Sequence, residues 1–93
     1  MIDSDAKITR AESTVHRELA EGGGVLLNLE SGSYYSINSI GLLVWGLIAD
    51  GCTFDELVSQ LRSRVADAPP ELDTDIREFL GELEHRRLIE VGG

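Results

Sequence analysis

With 93 residues, of which 42% are hydrophobic and 27% charged, the chain has the length and composition of a single globular domain. Seventeen acidic residues against eight lysines and arginines give a formal net charge of -9, which repels phosphate backbones and makes nucleic acid a poor candidate partner. A single cysteine, Cys52, excludes an internal disulfide and a cysteine-rich zinc site.

No segment of the sequence indicates a membrane or an export route. The longest apolar run, from Gly41 to Ala49, is far shorter than the roughly 20 residues that span a bilayer. The first ten residues carry acids where a signal peptide has a basic region and an apolar segment. We therefore expect a cytoplasmic protein without a membrane partner, folded as one domain over residues 1–93, with residues 1–11 loosely held.

The first half of the chain predicts three strands. Thr14 to Leu19 is a weak strand, and Val25 to Leu29 alternates apolar side chains as a half-buried strand does. Glu30-Ser31-Gly32 supplies a turn, so Tyr34 to Ile37 returns antiparallel as the third strand.

The second half predicts three helices. Asn38 or Ser39 caps the first helix, and Thr53 and Glu56 form a capping box at the start of the second. Pro69-Pro70 is a linker before the third helix. The predicted apolar faces are Ile40, Leu43, Val44, Leu47 and Ile48 in the first helix, Phe54, Leu57, Val58, Leu61 and Val65 in the second, and Leu72, Ile76, Phe79, Leu80 and Leu83 in the third.

This order of elements predicts an α+β fold of winged-helix type, with a three-stranded antiparallel sheet followed by a three-helix bundle. The tail from Leu88 to Val91 is short and apolar, which suits a segment that seals the core or adds a few strand-like pairings. Trp45 lies beside the main stripe of the first helix, and we expect it to pack between helix and sheet.

The residues that catalysis needs are scarce. His16 and His85 lie far apart and have no partner at metal-ligand spacing, and the sequence contains no HExxH, CxxC or GxSxG motif. Two pairs of carboxylates, Asp55 with Glu56 and Asp73 with Asp75, lie in the first turns of predicted helices, where acidic residues are common because they interact favourably with the helix dipole. We therefore predict a protein that is not an enzyme and that uses no metal or cofactor.

The third strand is the most informative segment. As the last strand before the helices it is expected at a sheet edge, where unpaired backbone groups can accept a strand from another chain. Alternation turns Tyr35 and Ile37 inward and leaves Tyr34 and Ser36 on the opposite face. A three-helix domain this small has more apolar helix face than its sheet can cover, which predicts an open groove between this edge and the third helix.

Three motifs follow one another in an informative order: Asn38-x-x-Gly41, Asp50-Gly51, and Asp75-Ile76-x-x-Phe79-Leu80-x-x-Leu83. Together with the preceding strand, they make the chain resemble PqqD-like proteins from about Val25 to Val91. These proteins are leader-peptide recognition elements in the synthesis of ribosomal, modified peptides. A chain of this size is similar to the separate leader-binding protein of lasso-peptide pathways.

The resemblance implies that a precursor's leader adds as a strand to the third β-strand and packs against the third helix. A separate leader protease or other modifying enzyme would then do the chemistry. The site residues carried over are Ser33, Tyr34, Tyr35, Ser36 and Ile37 on the strand, and Asp75, Ile76, Arg77, Phe79, Leu80, Leu83 and Arg87 on the helix.

Three alternatives remain open, one of which is an enzyme subunit that completes the active site of another protein. Within the family, the chain is also similar to PqqD itself, which serves a radical SAM enzyme as a peptide chaperone. Outside it, a winged-helix DNA-binding domain shares the element types, although the acids along the third helix disfavour it.

Overall fold

The computed structural model describes residues 2–92 and contains strands and helices in an α+β arrangement, as predicted. In chain order the elements are β1 (Lys7–Arg10), β2 (Thr14–Glu18), β3 (Gly24–Asn28), β4 (Tyr34–Ile37), α1 (Ser39–Leu47), β5 (Cys52–Thr53), α2 (Phe54–Arg64), α3 (Leu72–His85) and β6 (Ile89–Gly92).

The three predicted strands form one antiparallel sheet in the order β2-β3-β4. Leu26 lies at its centre, opposite His16 on one side and Tyr35 on the other. The turn between β3 and β4 needs a left-handed residue, and Gly32 supplies it at a φ of 76°. Because each strand follows its neighbour in sequence, local patterning was enough to predict this sheet.

A second antiparallel sheet, in the order β5-β1-β6, corrects the prediction of a single three-stranded sheet. Residues 7–10, expected to be loose, form its central strand and pair with Cys52–Thr53 on one side and with Ile89–Gly92 on the other. The side chain of Ile8 is fully buried in this strand, and Ile2 is 3% exposed. Burial of two apolar side chains thus holds a segment whose polar composition alone suggests disorder.

The cap signals are confirmed. The Asn38 side chain accepts a hydrogen bond from the Gly41 amide at 2.8 Å. Thr53 and Glu56 form the reciprocal capping box of α2, and the hydrogen bonds from Thr53 lower the pKa of the Glu56 carboxyl below its ordinary value. α3 begins at Leu72, two residues after Pro70.

The apolar face of α1 differs from the predicted stripe. Gly41, Val44, Trp45 and Ile48 face the core, whereas Leu43 and Leu47 are only half-buried and Ile40 is 36% exposed. The helix is apolar on several faces, so periodicity alone could not fix its rotation. Trp45 lies in the core as expected and is 1% exposed.

The core lies between the two sheets and the three helices. It contains Phe54, Leu57, Val58 and Leu61 of α2 and Leu72, Ile76, Leu80 and Leu83 of α3. Among residues 2–92, no helix is long and apolar enough to cross a membrane.

Candidate functional site

β4 is an edge strand whose outer side pairs with no other strand of residues 2–92. The Asn28 amide donates to the Ser33 carbonyl at 2.8 Å, which identifies this pair as hydrogen-bonded in the β3-β4 ladder. Such pairs alternate along antiparallel strands, so Tyr35 and Ile37 also bond to β3. The N–H and C=O groups of Tyr34 and Ser36 therefore point outward, where another strand can reach them.

The side chains of β4 alternate between the two faces of the sheet in the predicted sense. Ile37 is 7% exposed and belongs to the core, and Tyr35 is half-buried against it. Tyr34 is 67% exposed on the opposite face. The edge thus combines free backbone groups with an aromatic side chain on each face.

One flank of α3 lies next to this edge. The rings of Tyr35 and Phe79 have centroids 6.4 Å apart, and the Arg86 guanidinium lies 4.9 Å from the centre of the Tyr35 ring. Arg86 also donates from Nε to Glu82 Oε1 at 2.9 Å. Tyr35, Phe79 and the Arg86 to Glu82 pair form the wall that α3 presents to the edge strand.

An apolar cavity of about 330 Å³ opens where β4 ends and α1 begins. Gly41 makes this junction possible, because a Cβ there would lie 2.9 Å from Ile37 Cβ and 3.1 Å from Phe79 Cζ. Concave, mostly apolar cavities with a few polar groups are the usual sites for side chains of a ligand. The lining residues are Asn38, Ile40, Gly41, Val44, Val65, Pro69, Leu72, Asp75, Ile76 and Phe79.

A larger cleft of about 500 Å³ lies near the turn between β3 and β4 and the end of α3, and most of the residues that line it are polar or charged. Glu12, Glu30, Glu84 and Glu90 line it, together with Arg87. Solvated carboxylates of like charge are a common surface feature, so size alone does not make this cleft the binding site. The apolar cavity beside β4 fits an apolar side chain far better.

The structure brings the predicted strand residues together with only part of the predicted helix set. Asp75, Ile76 and Phe79 line the apolar cavity at one end of β4. Leu80 and Leu83 are fully buried, so they support the groove from below and offer no surface to a ligand. An aspartate at position 76 or 80 would therefore disrupt the core.

The two predicted arginines lie away from the apolar cavity. Arg77 stacks on Phe54 at 4.4 Å and donates to the Ile2 carbonyl at 2.9 Å, so it holds the N-terminal segment on the opposite flank of α3. Arg87 lines the larger cleft, and its carbonyl accepts a hydrogen bond from the Asn28 side chain at 2.6 Å.

Sequence reasoning missed Arg86 and Gly41 at the groove. Arg86 lies seven residues after Phe79, which places both on one side of a helix, and this spacing was the available signal. For Gly41 the signal was a glycine inside an otherwise apolar helix. The sequence contains no such signal for which residues of β4 turn their backbone N–H groups outward.

No group of three or more His, Cys, Asp or Glu side chains within residues 2–92 could hold a metal ion. What the edge and cavity offer is backbone hydrogen bonding along one line and an apolar recess at its end.

Comparisons with known proteins found a family profile and a solved structure that are similar to this chain. The profile of the family described as "Coenzyme PQQ synthesis protein D (PqqD)" matches residues 23–89, which include β3, β4 and all three helices. No curated protein gave a significant match.

A solved structure, described as "TbiB1 in Complex with the TbiA(beta) Leader Peptide", is similar to this chain with a TM-score of 0.76 and 26% sequence identity. The similarity covers 88% of this chain and 94% of that one. The α+β prediction and the resemblance to PqqD-like proteins are therefore confirmed.

Proposed function

This chain belongs to the PqqD family, and on that premise we propose that it binds the leader region of a ribosomal precursor peptide as an added strand on β4. The observation that carries the proposal is the open edge at Tyr34 and Ser36 with an apolar cavity at its end. β-strand addition uses an edge of this kind for affinity and neighbouring pockets for specificity. The similar solved structure, which holds a leader peptide, supports the proposal.

An added strand would alternate its side chains as β4 does. Those on the inner face would point toward Phe79 and Arg86 and, at the Ile37 end, toward the apolar cavity. Those on the outer face would lie beside Tyr34. The inner-face residues of the leader are therefore the ones that this site selects.

Magnitudes assign different roles to the edge and to the cavity. Tyr34 and Ser36 together offer two N–H and two C=O groups, and four hydrogen bonds at a net ~0.5 to 1.5 kcal/mol each supply a few kcal/mol. Ordering a disordered leader costs roughly 2 to 5 kcal/mol, which cancels much of this gain. Burial of an apolar anchor at about 1.5 to 3 kcal/mol then decides whether binding occurs. The edge fixes the register, and the cavity provides selectivity.

The chain itself performs no chemistry in this proposal. It holds the leader while a separate enzyme, a leader protease of a lasso-type pathway, acts on the rest of the precursor. The family description favours a second candidate, in which the chain presents a peptide to a radical SAM enzyme as PqqD does. The two candidates share the groove and differ only in the partner enzyme.

Titration of the chain with leader peptides from candidate precursors tests the binding step. We expect Ser36→Pro to weaken leader binding at least about 10-fold, because proline lacks the outward N–H and edge positions tolerate it. Ser36→Ala is the matched control, and it should bind like the native chain. Equal leader affinity of two folded variants would reject strand addition at β4.

Processing of the whole precursor tests the delivery step. Adding the native chain to the cognate enzyme should accelerate processing, and the folded Ser36→Pro variant should not. Processing that is indifferent to the chain, or turnover by the chain alone, would contradict delivery.

A further inference from the structure

The β2-β3-β4 sheet has a second open edge at β2. Leu29 donates to the Ser13 carbonyl at 2.8 Å and Leu19 to the Gly23 carbonyl at 3.0 Å, so the odd-numbered residues of this strand bond to β3. The N–H and C=O groups of His16 and Glu18 consequently point away from the sheet. No strand of the described chain pairs with them.

A cleft of about 440 Å³ lies between this edge and α1. Its apolar lining consists of Leu42, Leu43 and Leu47, all half-buried, and of Trp45. The His16 ring meets the Trp45 ring edge-on at 6.3 Å, which brings β2 against the helix. Leu43 and Leu47, predicted as core residues, therefore line a cleft beside an unpaired strand.

Two arginines stand at this cleft in a chain that has only eight basic residues against seventeen acids. Arg10 donates from Nη2 to the Trp45 carbonyl at 2.7 Å, and its guanidinium lies 4.5 Å from the centre of the Trp45 ring. Arg64 is exposed in the last turn of α2. Against them the cleft contains one acid, Glu18, and Asp50 lies close enough to Arg10 to attract its guanidinium, so the local excess of positive charge is small and rests on the exposed Arg64.

We propose that the β2 edge and this cleft form a second strand-addition site, and that its occupant is an extended acidic segment of a partner protein. The outward groups of His16 and Glu18 pair with the segment's backbone, the leucines accept an apolar side chain, and Arg10 and Arg64 attract carboxylates. The proposal does not depend on what binds at β4.

Charge argues against a second copy of the chain as the occupant. Pairing of β2 with β2 of another copy would join two chains that each carry a net charge of -9 and the same two arginines at the cleft. Charged residues at sheet edges also prevent two copies of a protein from pairing. The charges beside β2 could serve this purpose without any ligand, and the experiment must distinguish that role from binding.

Two capped nine-residue peptides make the test specific. They share a central leucine for the cleft and threonines at the alternate positions, which face away from it, and the residues two before and two after the leucine are glutamate in one peptide and lysine in the other. With the isotope-labelled full chain in about 50 mM salt, we expect the glutamate peptide to shift the amides of His16 and Glu18 and to bind about 10-fold tighter than the lysine peptide. On a chain of charge -9, overall electrostatics favour the opposite order.

Matched variants assign the site. Arg64→Gln should weaken the glutamate peptide about 2- to 5-fold, whereas Lys7→Gln, an equal change of charge on the other sheet, should leave it unchanged. Glu18→Pro should abolish binding that Glu18→Ala retains, because both remove the carboxylate and only proline removes the outward N–H.

Three results would overturn the proposal. The first is binding of neither peptide, as a purely protective edge predicts, or an equal or reversed preference between the two peptides. The second is a shift confined to Tyr34 and Ser36, which would place the acidic segment on β4. The third is equal binding by folded Glu18→Pro and Glu18→Ala.

Discussion

The two sheets of this small protein are built in opposite ways. β5-β1-β6 joins segments from the start, middle and end of the chain. β2-β3-β4 is made from consecutive strands, and a cavity or cleft with an apolar lining lies beside each of its two outer strands. The first sheet ties distant parts of the chain together, and the second has edges with adjoining recesses to which other chains can add. Stability and binding should therefore respond to different substitutions.

The largest effect on stability is expected in the β5-β1-β6 sheet. Ile8→Ala removes a fully buried side chain from the central strand and should lower the free energy of unfolding by about 2 to 5 kcal/mol. Chemical denaturation measures this loss. Ile8→Val should lower the free energy of unfolding by about 0.5 to 1.5 kcal/mol, and it can still be measured if the alanine variant does not fold. Leader affinity per folded molecule should stay constant, and a parallel fall in affinity would mean that the two sheets are coupled.

Asn28 connects the β2-β3-β4 sheet to the end of α3, and its side chain is 5% exposed. It donates to the Arg87 carbonyl at 2.6 Å and accepts from the amides of Glu30 and Ser31 at 2.9 and 3.1 Å. Asn28→Ala leaves these groups without partners and should cost about 1 to 3 kcal/mol in a thermal unfolding experiment.

Asn28→Asp separates the two kinds of bond, because aspartate keeps the acceptors and loses the donor. Its second carboxylate oxygen would face the Arg87 carbonyl at a site that is only 5% exposed, so its loss of stability should equal or exceed that of Asn28→Ala. If both variants unfolded at the native temperature, the link from β3 to α3 would carry no stability.

Gly41 allows the contact between α1, β4 and α3. A Cβ there would press on Ile37 and Phe79 and narrow the apolar cavity, so Gly41→Ala should weaken leader binding by ~0.8 to 1.4 kcal/mol, or about 4- to 10-fold. Gly46→Ala on the same helix is the control, since a Cβ there meets nothing within 4 Å. It should stabilise the fold slightly and leave the affinity unchanged; matching affinities for the two variants would remove the cavity from the site.

The smallest effect is expected at the groove wall. Arg86→Ala removes a cation that lies over the Tyr35 ring, together with its exposed ion pair to Glu82, and should weaken leader binding by about 0.2 to 1 kcal/mol. Glu82→Gln breaks the ion pair and keeps the cation, so it should bind almost as the native chain does. Isothermal titration of both variants measures the difference, and a larger loss in Glu82→Gln would assign the role to the carboxylate.

The sequence predicted the elements whose residues lie close together in the chain, and it did not predict the sheet whose strands lie far apart. The capping box at Thr53 and Glu56 and the hairpin before Asn38 are short-range patterns, and the structure contains both. The β5-β1-β6 sheet pairs Ile8 with Cys52 and Val91, and no local pattern specifies such distant partners.

The candidate site was predictable to the level of elements but not of atoms. Alternation placed Tyr35 and Ile37 inward correctly, whereas the choice of outward amides depends on the phase of the ladder, which the Asn28 to Ser33 bond sets. On α3, the apolar pattern indicated which residues are buried and left the exposed flanks open, so it could not indicate that Arg77 lies against Phe54 and away from the apolar cavity.

Amide hydrogen exchange with and without a saturating leader peptide tests the central claim most directly. In the free chain, Tyr34 and Ser36 should exchange rapidly while Tyr35 and Ile37 are protected by β3, and the bound leader should slow exchange at Tyr34 and Ser36. If these two amides were already protected in the free chain, or stayed fast when the leader is bound, β4 would not be the strand to which the leader adds.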